Sequence, residues 1–286
     1  MNINLRGTTA GIYIDASTVH GFIRSPSNQF TSVDPTGSIF TRVCEETCLN
    51  PDGTVAGFYT DSSGITHGFV RHANGTIASI DAPAPAGLTT IATEVASINV
   101  KGEIAGLSLD SNFVFHGFVR HPDGSFTTFD DPEAGTGTIQ GTGPFSINLG
   151  GATTGQYIDA SNNAHGFERF PDGQFANFDA PDAAPSSRMT FGLFGTRPST
   201  NNAEGEVAGW YMDAGGLNHG FFWIPGTPDG YAVSTLTPGQ SEAVSSATVP
   251  DPPLAISRLP LPEKIRELIL RRALIGGLGA PGSQPQ

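Results

Sequence analysis

Residues Thr93–Asp130 read TEVASINVKGEIAGLSLDSNFVFHGFVRHPDGSFTTFD, and this stretch decides the fold. Four extended segments lie in it: Thr93–Asn99, Glu103–Asp110, Phe115–His121 and Ser125–Asp130. Each is rich in β-branched or aromatic residues, and turn formers separate them. Asn99-Val-Lys-Gly102 marks a tight hairpin, since Asn and Gly both tolerate positive φ. Asp123-Gly124 marks another.

The same sentence recurs five times. Asn-x-x-Gly starts at Asn4, Asn50, Asn99, Asn148 and Asn202, and His-Gly-Phe starts at His20, His67, His116, His165 and His219. A period near 48 residues with four antiparallel segments is the pattern of a β-propeller blade. The expected fold is therefore all-β: a five-bladed β-propeller of four-stranded antiparallel blades, with a C-terminal linker and a short amphipathic helix. The repeats fall near residues 1–35, 36–84, 85–133, 134–182 and 183–239. Length varies mainly between a repeat's fourth segment and the next Asn, where a blade-to-blade crossing absorbs insertions. Repeat one offers only Met1–Asn4 as its innermost strand, and residues 240–249, which include SEAVSSATV, are expected to close the ring.

The hydrophobic fraction of 37% with 19 Phe is not a disorder profile. The net charge of −13 is concentrated in residues 1–250, with 24 acids against 9 bases, while 251–286 hold 3 acids and 5 bases. An acidic body repels a phosphate backbone, so nucleic acid is not an expected partner. No run approaches the roughly 18–20 apolar residues of a transmembrane span. The first residues, MNINLRG, already belong to repeat one, so no signal peptide is read there and a cytoplasmic setting stays open. Cys44 and Cys48 either form a local disulfide, which suits an oxidising compartment, or are two unrelated thiols.

The units Ser-Ile-Asn-x-x-Gly-x-x-x-Gly, Tyr-x-Asp, His-Gly-Phe-x-Arg and Phe-Asp-x-Pro resemble the HAF-type extracellular repeat proteins of bacteria, over roughly residues 2–239. The resemblance implies a propeller-like domain, usually exported, and no defined shared activity.

Asp15, Asp61, Asp110, Asp159 and Asp213 open the loop before each repeated His, and Asp34, Asp81, Asp130 and Asp179 open the crossing. One face should therefore carry a ring of carboxylates and imidazoles, open to a metal, a cation or a basic partner. The competing reading is structural, with each His tying two strands through an Asp, because buried polar groups require partners. A two-residue turn at Asp123-Gly124 would set Phe118 opposite Phe129 and Phe167 opposite Phe178. Calcium stays open as a cofactor, although no Asp-x-Asp-x-Asp-Gly loop occurs. Zinc-finger, P-loop, Gly-x-Ser-x-Gly and His-Glu-x-x-His signatures are missing from the sequence.

Departures from the repeat are the better ligand candidates, because a ligand wants an asymmetric pocket. Repeat three places Phe113 and Phe115 beside Asp110, and the longest crossing carries Arg188, Phe191 and Phe194. With Asp159 and Asp213 these form the candidate ligand-binding set. Exposed aromatics beside carboxylates suit a sugar or a cationic ligand. Residues 250–262 read as a Pro-rich linker, 263–276 as an amphipathic helix and 277–286 as a tail. The helix is expected to dock on its own body, then on a partner or another copy, and last on a membrane surface. The leading functional reading is a non-enzymatic scaffold binding a protein or carbohydrate on the Asp/His face. A carbohydrate-active enzyme using face carboxylates, and a subunit held through the helix, are the alternatives.

Overall fold

A strand that alternates inward and outward side chains buries one face only when a second layer covers it. Here the layers are the repeats themselves. The structure, a computed structural model, describes residues 2–44, 47–184 and 195–226. Repeat one holds β1 (Asn2–Ile3), β2 (Thr9–Ile14), β3 (Val19–Arg24) and β4 (Phe30–Ser32). Repeat two holds β5 (Ser38–Val43), β6 (Val55–Asp61), β7 (Thr66–Arg71) and β8 (Ile77–Ile80). Repeat three holds β9 (Thr90–Ile98), β10 (Ile104–Asp110), β11 (Phe115–Arg120) and β12 (Phe126–Phe129). Repeat four holds β13 (Gly141–Ile147), β14 (Thr153–Ile158), β15 (Ala164–Arg169) and β16 (Phe175–Phe178). In repeat five, β17 (Thr196–Asn201), β18 (Val207–Met212) and β19 (Asn218–Trp223) are described.

Each repeat is an antiparallel meander, so the described residues are all-β with a propeller-like arrangement of antiparallel units. Single parallel pairs, Thr66 with Ala92 and Phe115 with Gly141, join repeats two, three and four. The closing segment 240–249, the linker, the helix 263–276 and the tail lie outside the described residues, as do Arg188, Phe191 and Phe194.

The core lies between repeats and follows one rule. Ala10, Ile23 and Val33 of repeat one pack on Tyr59 and Phe69 of repeat two. Ala56, Val70 and Ile80 likewise meet Phe118 of repeat three. Phe178 and Ala180 meet Tyr211 and Phe221 of repeat five. Repeats one and two thus present small and aliphatic residues forward, repeats three and four add Phe129 and Phe178, and the Phe of His-Gly-Phe faces backward.

The expected register of the third hairpin is corrected by one residue. Phe118 sits opposite Thr128, and Gly117 sits opposite Phe129; in repeat four, Gly166 faces Phe178. His121 N donates to Ser125 O, and Gly124 adopts φ +89°, so the loop has three residues rather than two. A type I turn followed by a left-handed Gly adds that residue. The consequence explains the glycine of His-Gly-Phe in repeats three and four. A Cβ on Gly117 would lie 2.5 Å from the Phe129 ring, so the glycine makes room for the aromatic across the ladder. Gly106 plays the same part for Phe118, at 2.6 Å.

Candidate functional site

Four histidines are each gripped by two carboxylates of their own repeat. The Nδ1 of His20, His67, His116 and His165 lies 2.9, 2.6, 3.0 and 2.7 Å from Asp34, Asp81, Asp130 and Asp179. Their Nε2 atoms lie 3.1, 3.4, 3.2 and 3.5 Å from Asp15, Asp61, Asp110 and Asp159. His219 Nε2 meets Asp213 at 2.8 Å. Four of the rings stack on the Tyr across the ladder, with centroids 4.9–5.2 Å apart at Tyr13, Tyr59, Tyr157 and Tyr211. Repeat three has Ser108 there instead.

A ring nitrogen can donate to a carboxylate only when it carries a proton, so two carboxylates favour the imidazolium. Hydrogen bonds donated to Asp34, Asp130 and Asp179 accordingly raise His20, His116 and His165 above the usual histidine range, against the opposing effect of burial. The loop carboxylates also cap their own turns. Asp110 Oδ1 accepts from the Asn112 and Val114 amides, and Asp159 Oδ1 from Ser161 and Asn163. Burial pushes Asp159 up, but its bonds to Asn163 and His165 outweigh that and leave it below its ordinary value. The Asp/His ring is thus bonded strand to strand.

The asymmetric aromatic candidates are engaged in structure as well. Phe113 adopts φ 64°, in the position Gly64 and Gly216 fill in repeats two and five, and its carbonyl accepts from Ile139 N at 2.6 Å. Phe115 N donates to Gln140 O, which joins repeats three and four. Asp110 shares its turn with Phe113, while Asp159 and Asp213 stay in the turns of their own repeats.

Two carboxylates depart from the repeat and are buried. Asp131 takes the position of Ala82 and Ala180, and its Oδ2 has no hydrogen-bond partner. Burial raises its pKa. Glu168 takes the position of Val70 and Val119; burial pushes it up to about 7. Asn201 Nδ2 donates to Glu168 Oε1 at 2.9 Å and to Ala152 O at 3.1 Å, which ties repeat four to repeat five.

The opposite face holds what the sequence reading missed. The repeated Asn of Asn-x-x-Gly caps its own turn: Asn50 Oδ1 accepts from Thr54 N, and Asn148 Oδ1 from Ala152 N. Three of these Asn reach onward as well. Asn4, Asn99 and Asn148 donate through Nδ2 to the carbonyls of Asn50, Asn148 and Asn202 at 3.2, 3.0 and 2.7 Å. This belt frames a cavity of about 330 Å³ that residues from all five repeats line, among them Leu49, Ile98, Ile147 and Thr200. Its rim is apolar. Ile3, Leu5, Val100 and Leu149 are 71%, 97%, 55% and 51% exposed. The signal was in the sequence: Leu5, Pro51, Val100, Leu149 and Ala203 all follow the repeated Asn. Turn positions seldom need apolar side chains.

Cys44 and Cys48 are joined by a disulfide. Among the described residues no cluster of three or more His, Cys, Asp or Glu is placed to hold a metal, and no helix is long and apolar enough to cross a membrane.

No family model matches the chain, and no curated protein matches it. Among solved structures it is similar to TolB from Acinetobacter baumannii, at 11% identity and a TM-score of 0.51, covering 78% of this chain and 50% of that one. It is also similar to the BP39L lectin from Burkholderia pseudomallei, at 10% identity and a TM-score of 0.44, covering 79% and 65%. The chain therefore spans about half the length of TolB. The likeness to TolB bears on the fold alone and agrees with the propeller-like arrangement.

Proposed function

We propose that this chain is a non-enzymatic binding scaffold, a propeller of five blades whose contact surface is the mouth framed by the Asn turns. The cavity lined by all five repeats, with an exposed aliphatic rim, carries the reading. Exposed apolar groups cost free energy in water, and a cluster of them around a concavity marks a place where something docks. The Asp/His face supports the same reading from the other side, since its polar groups are bonded within their repeats. Four near-equivalent His sites suit a building element better than a catalytic centre, which needs carboxylates of unlike environment in one pocket.

An NMR titration of the isotope-labelled chain tests this, using two defined sets of probes: N-acetyl amino acid amides with apolar side chains, and monosaccharides. Saturable shifts centred on the amides of Leu5, Val100 and Leu149 are expected with the apolar probes. Shifts centred instead on Asp110, Asp159 and Asp213, or no saturable shift with any probe, would overturn the assignment.

A further inference from the structure

We propose that Glu168 and Asn201 form a proton-operated latch between repeats four and five. Neutral Glu168 closes a two-bond ring with the Asn201 amide, and ionised Glu168 opens it. Asn201 also lines the Asn-turn cavity, but the latch rests on bonds inside the chain and stands independently of what that cavity binds.

Glu168 stands on β15 where repeats two and three carry Val70 and Val119. It is 0% exposed, and Asn201, at the end of β17, is 9% exposed. Asn201 Nδ2 donates both to Ala152 O and to Glu168 Oε1. A backbone carbonyl only accepts, so this pair of bonds fixes which end of the amide is nitrogen. One oxygen is then left over on each side chain. Glu168 Oε2 and Asn201 Oδ1 are both buried without a hydrogen-bond partner. Two unpaired acceptors at one buried contact are costly, and a single proton satisfies both. A carboxylic acid donates through one oxygen and accepts through the other, and a primary amide is its complement. The ring is completed by an O–H from Glu168 Oε2 to Asn201 Oδ1, beside the existing N–H bond of 2.9 Å.

The neighbours leave that proton to the pair. Thr154 faces Glu168 across the ladder and gives its hydroxyl proton to Phe167 O, and Ala176 faces it from β16. The turn after β17 brings Gly205 in so closely that a Cβ there would lie 3.7 Å from Glu168 Oε1. The titratable groups of these elements turn elsewhere. Arg169 lies over the Phe129 ring of repeat three, and Arg197 over the rings of Phe145 and Trp210. Tyr157 donates to Glu133, Glu206 accepts from Asn202 Nδ2, and Glu204 is exposed. Burial therefore outweighs the Asn201 bond and pushes Glu168 up to about 7. Below that value the ring is closed. Above it a buried carboxylate confronts the Asn201 carbonyl oxygen, and the contact between β15 and β17 is lost.

Carbon-detected NMR of the full chain, titrated from about pH 4 to about pH 9, tests the latch. The Glu168 Cδ signal is expected to titrate near neutrality, and the Asn201 Cγ and side-chain NH₂ signals to move with the same midpoint. Glu168→Gln replaces the O–H by a permanent N–H and should hold the Asn201 signals in their low-pH state throughout. Glu168→Val, the residue of repeats two and three, should abolish the titration without restoring that state.

Three results overturn the proposal. One is a Glu168 midpoint near the ordinary 4.5, which means the carboxylate is ionised in the intact fold. Another is a midpoint near 7 that the Asn201 signals do not follow. The third is identical Asn201 signals in Glu168→Gln and Glu168→Val, which means that burial acts and no ring is made.

Discussion

Tyr157 and Phe167 of repeat four are 3% and 0% exposed, whereas Tyr13, at the same place in the word, is 45% exposed and Phe22 is half-buried. The residues are of the same types and the local ladder is the same: Tyr157 faces His165 as Tyr13 faces His20, and Gly155 faces Phe167 as Gly11 faces Phe22. What differs is the neighbour. Phe167 meets Phe129 of repeat three at 6.5 Å between ring centroids, and the described residues place no such partner on Phe22. In a repeat array the local word sets which way a side chain points, and the adjoining repeat sets how much that side chain stabilises.

The largest expected contrast follows directly. Phe167→Ala should cost about 3–5 kcal/mol, the usual range for emptying a fully buried aromatic site. Phe22→Ala should cost well under half as much, because little packed volume is lost. Urea denaturation of the two variants measures the difference. Equal losses would mean that the aromatic face of repeat one is covered in solution, and the comparison would fail.

A second contrast uses the glycine of His-Gly-Phe. A Cβ on Gly117 would meet the Phe129 ring at 2.5 Å, while one on Gly21 would meet only Thr41, Val33 and Val43 side chains at 3.3 Å. Overpacking of the first kind typically costs about 1–3 kcal/mol. Gly117→Ala should therefore lower the urea midpoint clearly, and Gly21→Ala by a few tenths of that. If both variants melt alike, the aromatic-over-glycine packing is not what fixes the word.

Much of this was legible from residue spacing. The Asn-x-x-Gly and His-Gly-Phe periods gave the repeats, the strand order and the His–Asp bonds, because those depend on short-range geometry. The register of the third hairpin was not legible, since Asp-Gly serves two-residue and three-residue loops equally well until the left-handed Gly is seen. The aliphatic mouth at Leu5, Val100 and Leu149 was legible only in part, as an apolar residue after the repeated Asn. Each is an ordinary apolar residue in its own turn, and only the convergence of five repeats makes a rim of them. Nor can the sequence show that Ile139 and Gln140 come round to bond the backbone of Phe113 and Phe115.

The smallest contrast is read as a slope against pH. Protonated His20, His116 and His165 bond two carboxylates each, so their folded pKa lies above the unfolded value near 6.5. The stability they add is complete below about pH 6.5 and is lost as pH rises through the folded value. Glu168 adds a second decline at lower pH. Its folded value of about 7 against an ordinary 4.5 means the native state holds its proton longer, so stability falls between these two values. Repeat one has Ile23 at that position and cannot contribute it. The carboxylates Asp34, Asp61, Asp159 and Asp213 act in the opposite sense. All end below their ordinary value, and the stability they add is lost as pH falls below about 4. Melting temperature should thus peak near pH 4–5 and fall in two overlapping steps. Glu168→Gln should flatten the step below pH 7, and His165→Gln should shallow the one above it. His20→Gln should change the upper step less than His116→Gln, because the His116 pair is more deeply buried, at 10% and 2% side-chain exposure against 23% and 48% for His20 and Asp15. An upper step untouched by any of the three histidine variants would show that the imidazoles sit neutral between their carboxylates.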